Sequence, residues 1–474
     1  MERSKQTVKA FPAVKESMDK IIKTFRTDVA VIGGGPSGIC AALAAARTGA
    51  STLLVEENGC SGGMATMGLV GPFMTCYDKT GETMIIKGLF EEIVNRLVQK
   101  GAAIHPSDVH SGSAFTSWIT IGHEHVTPFE PETLKVILDE MLIESGVKVL
   151  YHTTFIYPEM ENGTIQSVVV TSKSGSQRIQ SKVFIDCTGD ADVAFRSGVK
   201  CWKGNEELGI IQPASMFFRI GNVNLNLVEA DISANKDNFY RKDGVNYRSF
   251  HWRVAEAKAN GDWNLDRVSI GMFRGVKPDE WSINTSRIMG VDATDNESLT
   301  NGEIEGRRQV QTIFSFLRKY VPGCENAKLL SVASTLGIRE SRHIQGEYTL
   351  SIDDVISGKV PKDSIFLASN SVDVHGRFGP KSNEYITVRD GNWYGVPYRC
   401  LVPIGVEGLL VAGRCVSATA DAAGAIRVMP PCAASGQAAG TAAALSVIHK
   451  CSVRNLDTEL LRNKLNEDGV FLNM

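Results

Sequence analysis

The sequence predicts an α/β fold in which a nucleotide-binding domain is interrupted by an inserted α+β domain. The first observation is a strand, a glycine turn, an alanine-rich helix and a second strand at residues 27–57, TDVAVIGGGPSGICAALAAARTGASTLLVEE. The second is an apolar strand that ends in the small-residue turn CTGD at residues 187–190. The third is a strand, a Gly/Ala loop and a small-residue helix within residues 409–448. Because a long mixed segment separates the last two, the nucleotide-binding domain is expected to be discontinuous.

The first segment has the glycine spacing of a dinucleotide-binding βαβ unit. Val29–Ile32 is a short apolar run, suited to a central parallel strand that is buried on both faces. Gly33 is expected to make the tight turn, Gly35 to let the backbone approach a pyrophosphate, and Gly38 to let the helix pack on the strand. The helix that begins near Pro36 directs its unpaired N–H groups toward the phosphates.

Two acids and a second glycine pair follow this unit. Glu56 stands at the end of the second strand, where its carboxylate would accept hydrogen bonds from a ribose diol. An acid at this position disfavours a 2′-phosphate, so NADP is not the expected ligand. Glu57 comes next, and Gly62 and Gly63 then indicate either backbone close to the ligand or a plain loop that leads into the core.

Composition and charge exclude several classes of protein. The 474 residues, 43% hydrophobic and 22% charged, fit a globular protein of two or three domains. A net charge of −3 gives no whole-protein case for nucleic acid or an anionic membrane. No apolar run reaches transmembrane length, and the N-terminus has no apolar signal-peptide core.

The cysteines and histidines give no metal signature. The ten cysteines are scattered without a CxxC or CxxxxC pair, which argues against a zinc ribbon, a cysteine-ligated cluster and a local redox dithiol. Most are expected to be buried thiols in a reducing cytoplasm. Residues 123–125, His-Glu-His, lack the spacing that puts two ligands on one helix face, so no metal site is predicted.

Periodicity predicts further elements in the first part of the chain. Residues 87–100 and 128–146 are expected as helices, the second with Pro and Glu near its start. Strands are expected at residues 147–151, 164–172 and 178–186. The turn after the last strand lies at the sheet edge where ligands collect, and Asp190 is predicted there as a polyol contact or an N-cap.

The predicted organisation has four parts. They are an N-terminal extension at 1–26, the first part of the nucleotide-binding domain at 27–202 with a loop and helix excursion at 75–127, a substrate or cap domain at 203–390, and the C-terminal part of the nucleotide-binding domain at 391–474. Within the N-terminal extension, residues 11–25 are expected to form a short basic helix. This helix would either pack on the domain surface or bind a membrane or a partner.

The inserted segment contains one dense polar cluster, GIRESRHIQGEY at residues 337–348. Arg339 and Arg342 are three apart, so on a helix they would share a face and grip a carboxylate. His343 would then be the catalytic acid or base. The alternative is that the arginines pair with Glu340 and Glu347 in a structural network. His375, Tyr394 and Arg399 are secondary candidates, and Cys415 is expected to be inert packing.

Four blocks of the sequence together resemble the bacterial FAD-dependent oxidoreductase family, which has a glutathione-reductase-type FAD fold and is distantly like fumarate reductase flavoproteins. The resemblance implies a discontinuous Rossmann-like FAD-binding domain with an inserted α+β substrate domain, and FAD as the cofactor. It covers most of residues 27–448, and its blocks are residues 28–57, 183–198, 337–350 and 396–444.

The resemblance also implies site residues. It does not imply a reaction, so Arg339, Arg342 and His343 are expected to be catalytic from their own chemistry alone. The helix near Pro431 would direct its positive end at the flavin N1/O2 edge, where reduction places negative charge. The implied cofactor-binding residues are Gly33, Gly35, Pro36, Ser37, Gly38, Glu56, Glu57, Gly62, Gly63, Met64, Ile156 (by its backbone, at adenine), Thr188, Gly189, Asp190, Gly413, Arg414, Gly424, Arg427 and Val428.

Three functions stay open from the sequence. The first is a dehydrogenase or reductase that transfers a hydride between flavin and a small organic substrate, for which a carboxylated one would suit the arginines. The second is an electron-transfer subunit that passes electrons to a separate redox partner. The third is a non-redox FAD-binding protein. The chain lacks a CxxxxC dithiol and a second Rossmann unit, so any further donor or acceptor must reach the flavin from outside, and a homo-oligomer remains open.

Overall fold

A computed structural model describes residues 21–204, 210–243, 245–375 and 383–473. It confirms the α/β class. The helices are α1 Pro36–Arg47, α2 Leu89–Gln99, α3 Pro131–Glu144, α4 Asp192–Arg196, α5 Leu225–Asn235, α6 His251–Ala259, α7 Asn296–Tyr320, α8 Ile352–Ile356, α9 Ala420–Ile426, α10 Met429–His449 and α11 Thr458–Glu467.

The strands form one parallel sheet and several smaller antiparallel or mixed ones. They are β1 Lys23–Arg26, β2 Val29–Ile32, β3 Thr52–Val55, β4 Lys148–Leu150, β5 Thr154–Glu161, β6 Thr164–Ser172, β7 Gly175–Gln180, β8 Val183–Asp186, β9 Cys201–Lys203, β10 Phe218–Gly221, β11 Tyr240–Lys242, β12 Val245–Tyr247, β13 Met272–Arg274, β14 Trp281–Ile283, β15 Lys328–Val332, β16 Arg342–Ile344, β17 Ser364–Ala368, β18 Val372–His375, β19 Asn383–Ile386, β20 Tyr394–Pro397 and β21 Leu409–Val411.

The parallel sheet has the strand order β21-β8-β2-β3-β4. Its pairs are all parallel, and β2, β3, β8 and β21 are fully buried, as their apolar runs predict. The C-terminal strand β21 pairs with β8, which confirms that the sheet is assembled from distant parts of the sequence. The carboxyl ends of β2, β3 and β8 therefore meet at one edge.

Helices α1 and α10 pack against each other through backbone contact. A Cβ on Gly436 would lie 2.0 Å from the carbonyl oxygen of Ser37, and one on Gly440 would lie 2.1 Å from that of Ala41. Only glycine permits this approach, so the small residues of α10 are explained by its contact with α1. The contact fixes the N-terminal end of α10 beside that of α1.

The buried apolar side chains form three clusters. The largest joins the parallel sheet to α1, α2, α3, α10 and α11, and it also takes in side chains between Leu350 and Val416. The second lies mainly within residues 214–336 around Phe218, Trp281 and Phe316. The third fills the space between the parallel sheet and the β1-β7-β6-β5 sheet.

Two predicted elements are wrong in detail. Residues 178–186 do not form one strand, because β7 pairs with β6 in one sheet and β8 then enters the parallel sheet. Of the helix expected at residues 11–25, the part up to residue 20 lies outside the described residues. The end of that segment is instead strand β1, which pairs in parallel with β7. Within the described ranges, no helix is long and apolar enough to cross a bilayer.

Candidate functional site

A cavity of about 570 Å³ runs from the carboxyl edge of the parallel sheet to the inserted segment. One end is lined by the glycine turn after β2, by Glu56 and Glu57 after β3, and by the turn after β8. The other end is lined by side chains from residues 217–339 and from β18. The sheet edge and the insert therefore line the same cavity.

The glycine turn has the geometry that its spacing predicts. Gly33 has φ +101°, and a Cβ there would lie 2.4 Å from the carbonyl oxygen of Cys187. A Cβ on Gly38 would lie 1.8 Å from the carbonyl oxygen of Gly33, so close packing requires glycine at both positions. A Cβ on Gly35 would meet nothing within 4 Å, although Gly35 lines the cavity. The backbone at Gly35 is thus open to a bound molecule.

The carboxylate of Glu56 is fixed in the cavity wall. Its Oε2 accepts from the Gly34 N–H at 2.6 Å, and its Oε1 accepts from the backbone and side-chain nitrogens of Asn58 at 2.8 and 2.7 Å. The neighbouring Glu57 also lines the cavity. Burial, followed by the charges of Glu56 and two nearby aspartates, raises the pKa of Glu57. This end of the cavity is therefore acidic.

The loop at residues 62–64 packs on the glycine turn. The Gly62 N–H donates to the Gly34 carbonyl at 2.8 Å, and Gly62 and Gly63 both have positive φ. A Cβ on Gly63 would lie 2.9 Å from the Gly35 Cα, so this second glycine pair permits a backbone-to-backbone contact. Gly63 and Met64 line the cavity, whereas Gly62 supports them from behind.

Asp190 is held by an ion pair. Its Oδ1 accepts from Arg414 Nη2 at 2.7 Å and from Ser341 Oγ at 2.5 Å. The N-cap position of α4 is Ala191 and has no side-chain cap, so the N-cap alternative for Asp190 is wrong. Thr188, Gly189 and Asp190 all line the cavity.

The strand before this turn ends in a buried acid, Asp186. It accepts from Thr188 Oγ1 at 2.7 Å and from the Ala194 N–H at 2.9 Å. Burial, which outweighs these hydrogen bonds, raises the pKa of Asp186 to about 6. Asp186 thereby fixes the turn that carries Thr188 to the cavity.

Two C-terminal arginines line the middle of the cavity. Arg414 pairs with Asp190, and Arg427 Nη2 donates to the Asp373 carbonyl and carboxylate at 3.0 and 3.3 Å. Both arginines keep a buried nitrogen, Nη1 of Arg414 and Nε of Arg427, that has no partner among the described residues. Val428 also lines the cavity and precedes the first turn of α10. These unsatisfied donors fit an anionic or carbonyl-bearing ligand.

Five of the expected cofactor residues do not line the cavity. A Cβ on Gly413 would lie 2.6 Å from Ser37 Oγ, and one on Gly424 would lie 3.1 Å from the Asp373 carbonyl oxygen. The carbonyl oxygen of Ile156 accepts a hydrogen bond from Arg196, whereas Thr153, Thr154 and Phe155 line the cavity. The five are Gly38, Gly62, Ile156, Gly413 and Gly424.

The three expected catalytic residues are not brought together. Arg342 and His343 lie in strand β16, antiparallel to β9, so the expectation that Arg339 and Arg342 share a helix face is wrong. Arg339 lines the cavity and donates to the Pro213 carbonyl at 2.6 Å and to Ser215 Oγ at 2.8 Å.

Arg342 and His343 lie outside the cavity lining. Arg342 pairs with Asp192 at 2.9 Å and lies over the Phe195 ring. His343 is 1% exposed, with its Nε2 3.8 Å from Glu340 Oε1. The expected pairing of the arginines with Glu340 and Glu347 is also wrong, because Glu347 pairs with Arg454 and Glu340 accepts from the Gln212 N–H.

His375, a secondary candidate from the sequence, lies in a chain of hydrogen-bonded polar side chains. Arg287 Nη2 lies 3.1 Å from His375 Nδ1, and His375 Nε2 lies 2.9 Å from Asp373 Oδ2. Since a guanidinium only donates, Nδ1 accepts and the Nε2–H donates to the carboxylate. Burial lowers the pKa of His375 to about 4, so the ring is neutral near pH 7.

Asp373 is the anion at the centre of that chain. Burial opposes its charge, yet His375 and Arg427 hold the pKa of Asp373 well below its usual range. Residues two apart on a strand point the same way, so the pattern VDVH in residues 372–375 is the signal that could have identified this pair. By contrast, Tyr394 is buried core, Arg399 pairs with Asp363, and Cys415 is a fully buried thiol.

These residues fit FAD. The Gly35 backbone is open, the acid Glu56 is fixed at the end of β3, and Arg414 and Arg427 keep buried donors beside the cavity. These are the features that a dinucleotide needs for its pyrophosphate, its ribose and its electron-accepting ring. No group of His, Cys, Asp and Glu within the described ranges could hold a metal ion.

The comparison with family models gives the family of this chain. A family model described as FAD dependent oxidoreductase matches residues 28–465. A search of curated proteins found no match.

Two solved structures are among those that match this chain. A geranylgeranyl bacteriochlorophyll reductase-like protein from Thermoplasma acidophilum is 14% identical over 94% of this chain and 83% of its own, with a TM-score of 0.44. A p-nitrophenol 4-monooxygenase from Pseudomonas putida DLL-E4 is 11% identical over 93% and 84%, also with a TM-score of 0.44.

Proposed function

The chain belongs to the FAD-dependent oxidoreductase family, and from that premise we propose that it transfers a hydride between bound FAD and a small organic molecule. A cavity that joins the glycine turn to the inserted segment supports this proposal. A cavity with a nucleotide end and a second, differently lined end suits a cofactor and a substrate held side by side.

We propose that FAD lies with its ADP half at the glycine turn, in an arrangement of glutathione-reductase type with a distant likeness to fumarate reductase flavoproteins. Glu56 would hold the ribose diol, and the open backbone at Gly35 would face the pyrophosphate. Arg414 and Arg427 would meet the cofactor with their unsatisfied donors. When bound, FAD supplies the hydride acceptor or donor of the reaction.

Among the protein groups, we assign substrate contact to Arg339 and positioning to the chain built on Asp373. Arg339 lines the insert end of the cavity and carries a fixed positive charge there. Asp373 holds His375 and Arg427 in place, and a neutral His375 adds no charge to the site. We assign Arg342 to holding the turn at residues 190–192 through Asp192.

The domain limits remain part of the proposal. The second core cluster, mainly within residues 214–336, supports a substrate domain in the predicted 203–390 segment. Side chains from Leu350 onward pack instead in the first core. All ten cysteines are free thiols, which supports the proposed reducing cytoplasm. A small-molecule substrate and an external electron donor or acceptor are the proposed partners.

Anaerobic flavin spectroscopy of the purified holoenzyme tests the proposal. Dithionite first bleaches the bound FAD, which is then reoxidised, to show that the flavin is redox-active. At least one alcohol, amine or acid of a small-molecule panel should then bleach the oxidised flavin. Alternatively, an unsaturated acid should reoxidise the reduced flavin. Flavin that dithionite reduces, but that exchanges electrons only with an added protein such as a ferredoxin, would contradict hydride transfer to a small molecule.

A further inference from the structure

The two ends of the cavity carry opposite charge. Four carboxylates line the nucleotide end, namely Glu56, Glu57, Asp190 and Asp192. Three arginines line the insert end, namely Arg248, Arg267 and Arg339. Asp373, which also lines the cavity, is already engaged by His375 and Arg427. The insert end is therefore positive and offers little free negative charge of its own.

Arg248 is the arginine whose charge has no counterpart. Its backbone N–H donates to Ser269 Oγ at 2.9 Å, but no hydrogen bond or ion pair joins its guanidinium to any residue of the described ranges. The side chain is half-buried. Asp266 lines a small neighbouring pocket together with Arg248, yet no ion pair links the two. A half-buried guanidinium that has no protein anion keeps its donors available for an anionic ligand.

Arg248 stands at the boundary between the cavity and that neighbouring pocket. Arg248 and Arg267 line both spaces, and the neighbouring pocket is otherwise lined by residues 245–246, 266 and 268–269. The field of Arg248 also reaches the cavity wall. Burial first, and Arg248 second, lower the pKa of His123 to about 4. His123 therefore stays neutral near pH 7 and leaves the positive charge to the arginines.

The walls beside Arg248 are apolar and aromatic. Phe217 and Phe273 line the same end of the cavity and are 4% and 7% exposed. The His123 ring stacks with Phe273 at 6.3 Å between centroids. Leu336 and Ile338 add aliphatic surface. Such walls suit an apolar or aromatic body better than a hydrated phosphate.

We propose that the substrate of this site is an organic carboxylate with an apolar or aromatic body, and that Arg248 is the residue that receives its carboxylate. This inference rests on the proposed function for the identity of the site as the substrate site. Arg339, at the same end, adds positive charge but is already bound to Pro213 and Ser215. Arg248 keeps its whole guanidinium for a bidentate contact.

Isothermal titration calorimetry of the FAD-loaded protein tests this proposal, with benzoate as the probe. Benzoate should bind to the wild type, and Arg248→Gln should weaken it by about tenfold or more, the ratio expected for the loss of one charge-assisted hydrogen bond. Arg248→Lys should weaken it less, because the charge remains. Arg307→Gln removes the same charge from an exposed position on α7 and should leave binding unchanged.

Two comparison ligands decide what the site recognises. Benzamide has the same ring without the charge, and its weak binding should not respond to Arg248→Gln. Inorganic phosphate should bind more weakly than benzoate. Equal benzoate binding by the wild type and Arg248→Gln, no benzoate binding at all, or tighter binding of phosphate would each overturn the proposal.

The calorimetric result is independent of the redox proposal. The protein could bind benzoate through Arg248 while its flavin exchanges electrons only with a partner protein. That result would support the carboxylate site and refute hydride transfer. Turnover of uncharged substrates with no effect of Arg248→Gln on KM would sustain hydride transfer and refute the carboxylate site. Absorbance of bound FAD in each variant separates both outcomes from loss of the fold.

Discussion

Replacement of Asp373 by Asn is expected to destabilise the protein through the loss of its contacts with His375 and the Arg427 cation. The carboxylate contacts His375 at 2.9 Å and Arg427 at 3.3 Å, and the Arg427 side chain is only 12% exposed. Breaking a fully buried ion pair from one side costs about 3–5 kcal/mol. Asp373 keeps 23% exposure and Asn keeps an acceptor, so we expect the free energy of unfolding to fall by about 2–3 kcal/mol.

Chemical denaturation of the apo protein measures this loss, and Asp363→Asn is its control. Asp363 pairs with Arg399, which is 44% exposed, so the control should lose less than about 1 kcal/mol. The pH dependence gives a second check. The pKa of Asp373 is depressed in the folded state. Its contribution to the free energy of unfolding is therefore fully present above the unfolded pKa of about 4 and is lost as the pH falls below that value.

The difference between wild type and Asp373→Asn should therefore be constant from pH 6 to 8 and shrink below about pH 4. A loss no greater than that of Asp363→Asn would refute the reasoning. So would a difference that grows at low pH, because it would mean that Asp373 is not the stabilising anion of the folded protein.

Three further predictions follow from single contacts. Gly440→Ala should lower the free energy of unfolding by about 1–3 kcal/mol, because its Cβ would meet the Ala41 carbonyl oxygen at 2.1 Å. The control, Gly306→Ala, faces a flexible methionine, and thermal melts should show that it is better tolerated. Glu56→Gln should weaken FAD about tenfold in a fluorescence titration, through the loss of a charge-assisted bond, and an unchanged affinity would refute the ribose assignment. The pKa of His375 is lowered to about 4, so wild-type stability should fall as the pH drops from 6.5 to 4, and His375→Gln should flatten that slope in denaturant midpoints.

The nucleotide end of the site was predictable because local spacing determines it. Gly33, Gly38 and Glu56 act within one βαβ unit, so the order of residues along the chain fixes their geometry. The parallel sheet, including the distant β21, followed from buried apolar runs in the same way.

The substrate end was not predictable because tertiary contacts assemble it. The spacing of Arg339 and Arg342 predicts a shared helix face, but pairing of β16 with β9 places Arg342 in a strand. Arg248, Arg339 and Asp373 come from segments far apart in sequence, and no local pattern links them. Only the alternation in residues 372–375 gave a local hint.

Replacement of Gly35 by Val tests the central claim, that this cavity holds FAD with its pyrophosphate against the glycine turn. Gly35 has φ −70°, and a Cβ there would meet nothing within 4 Å, so the apo fold tolerates the side chain. We expect purified Gly35→Val to unfold at the same temperature as the apo wild type but to lack the flavin absorbance spectrum. A variant that retains FAD at the wild-type ratio would contradict it.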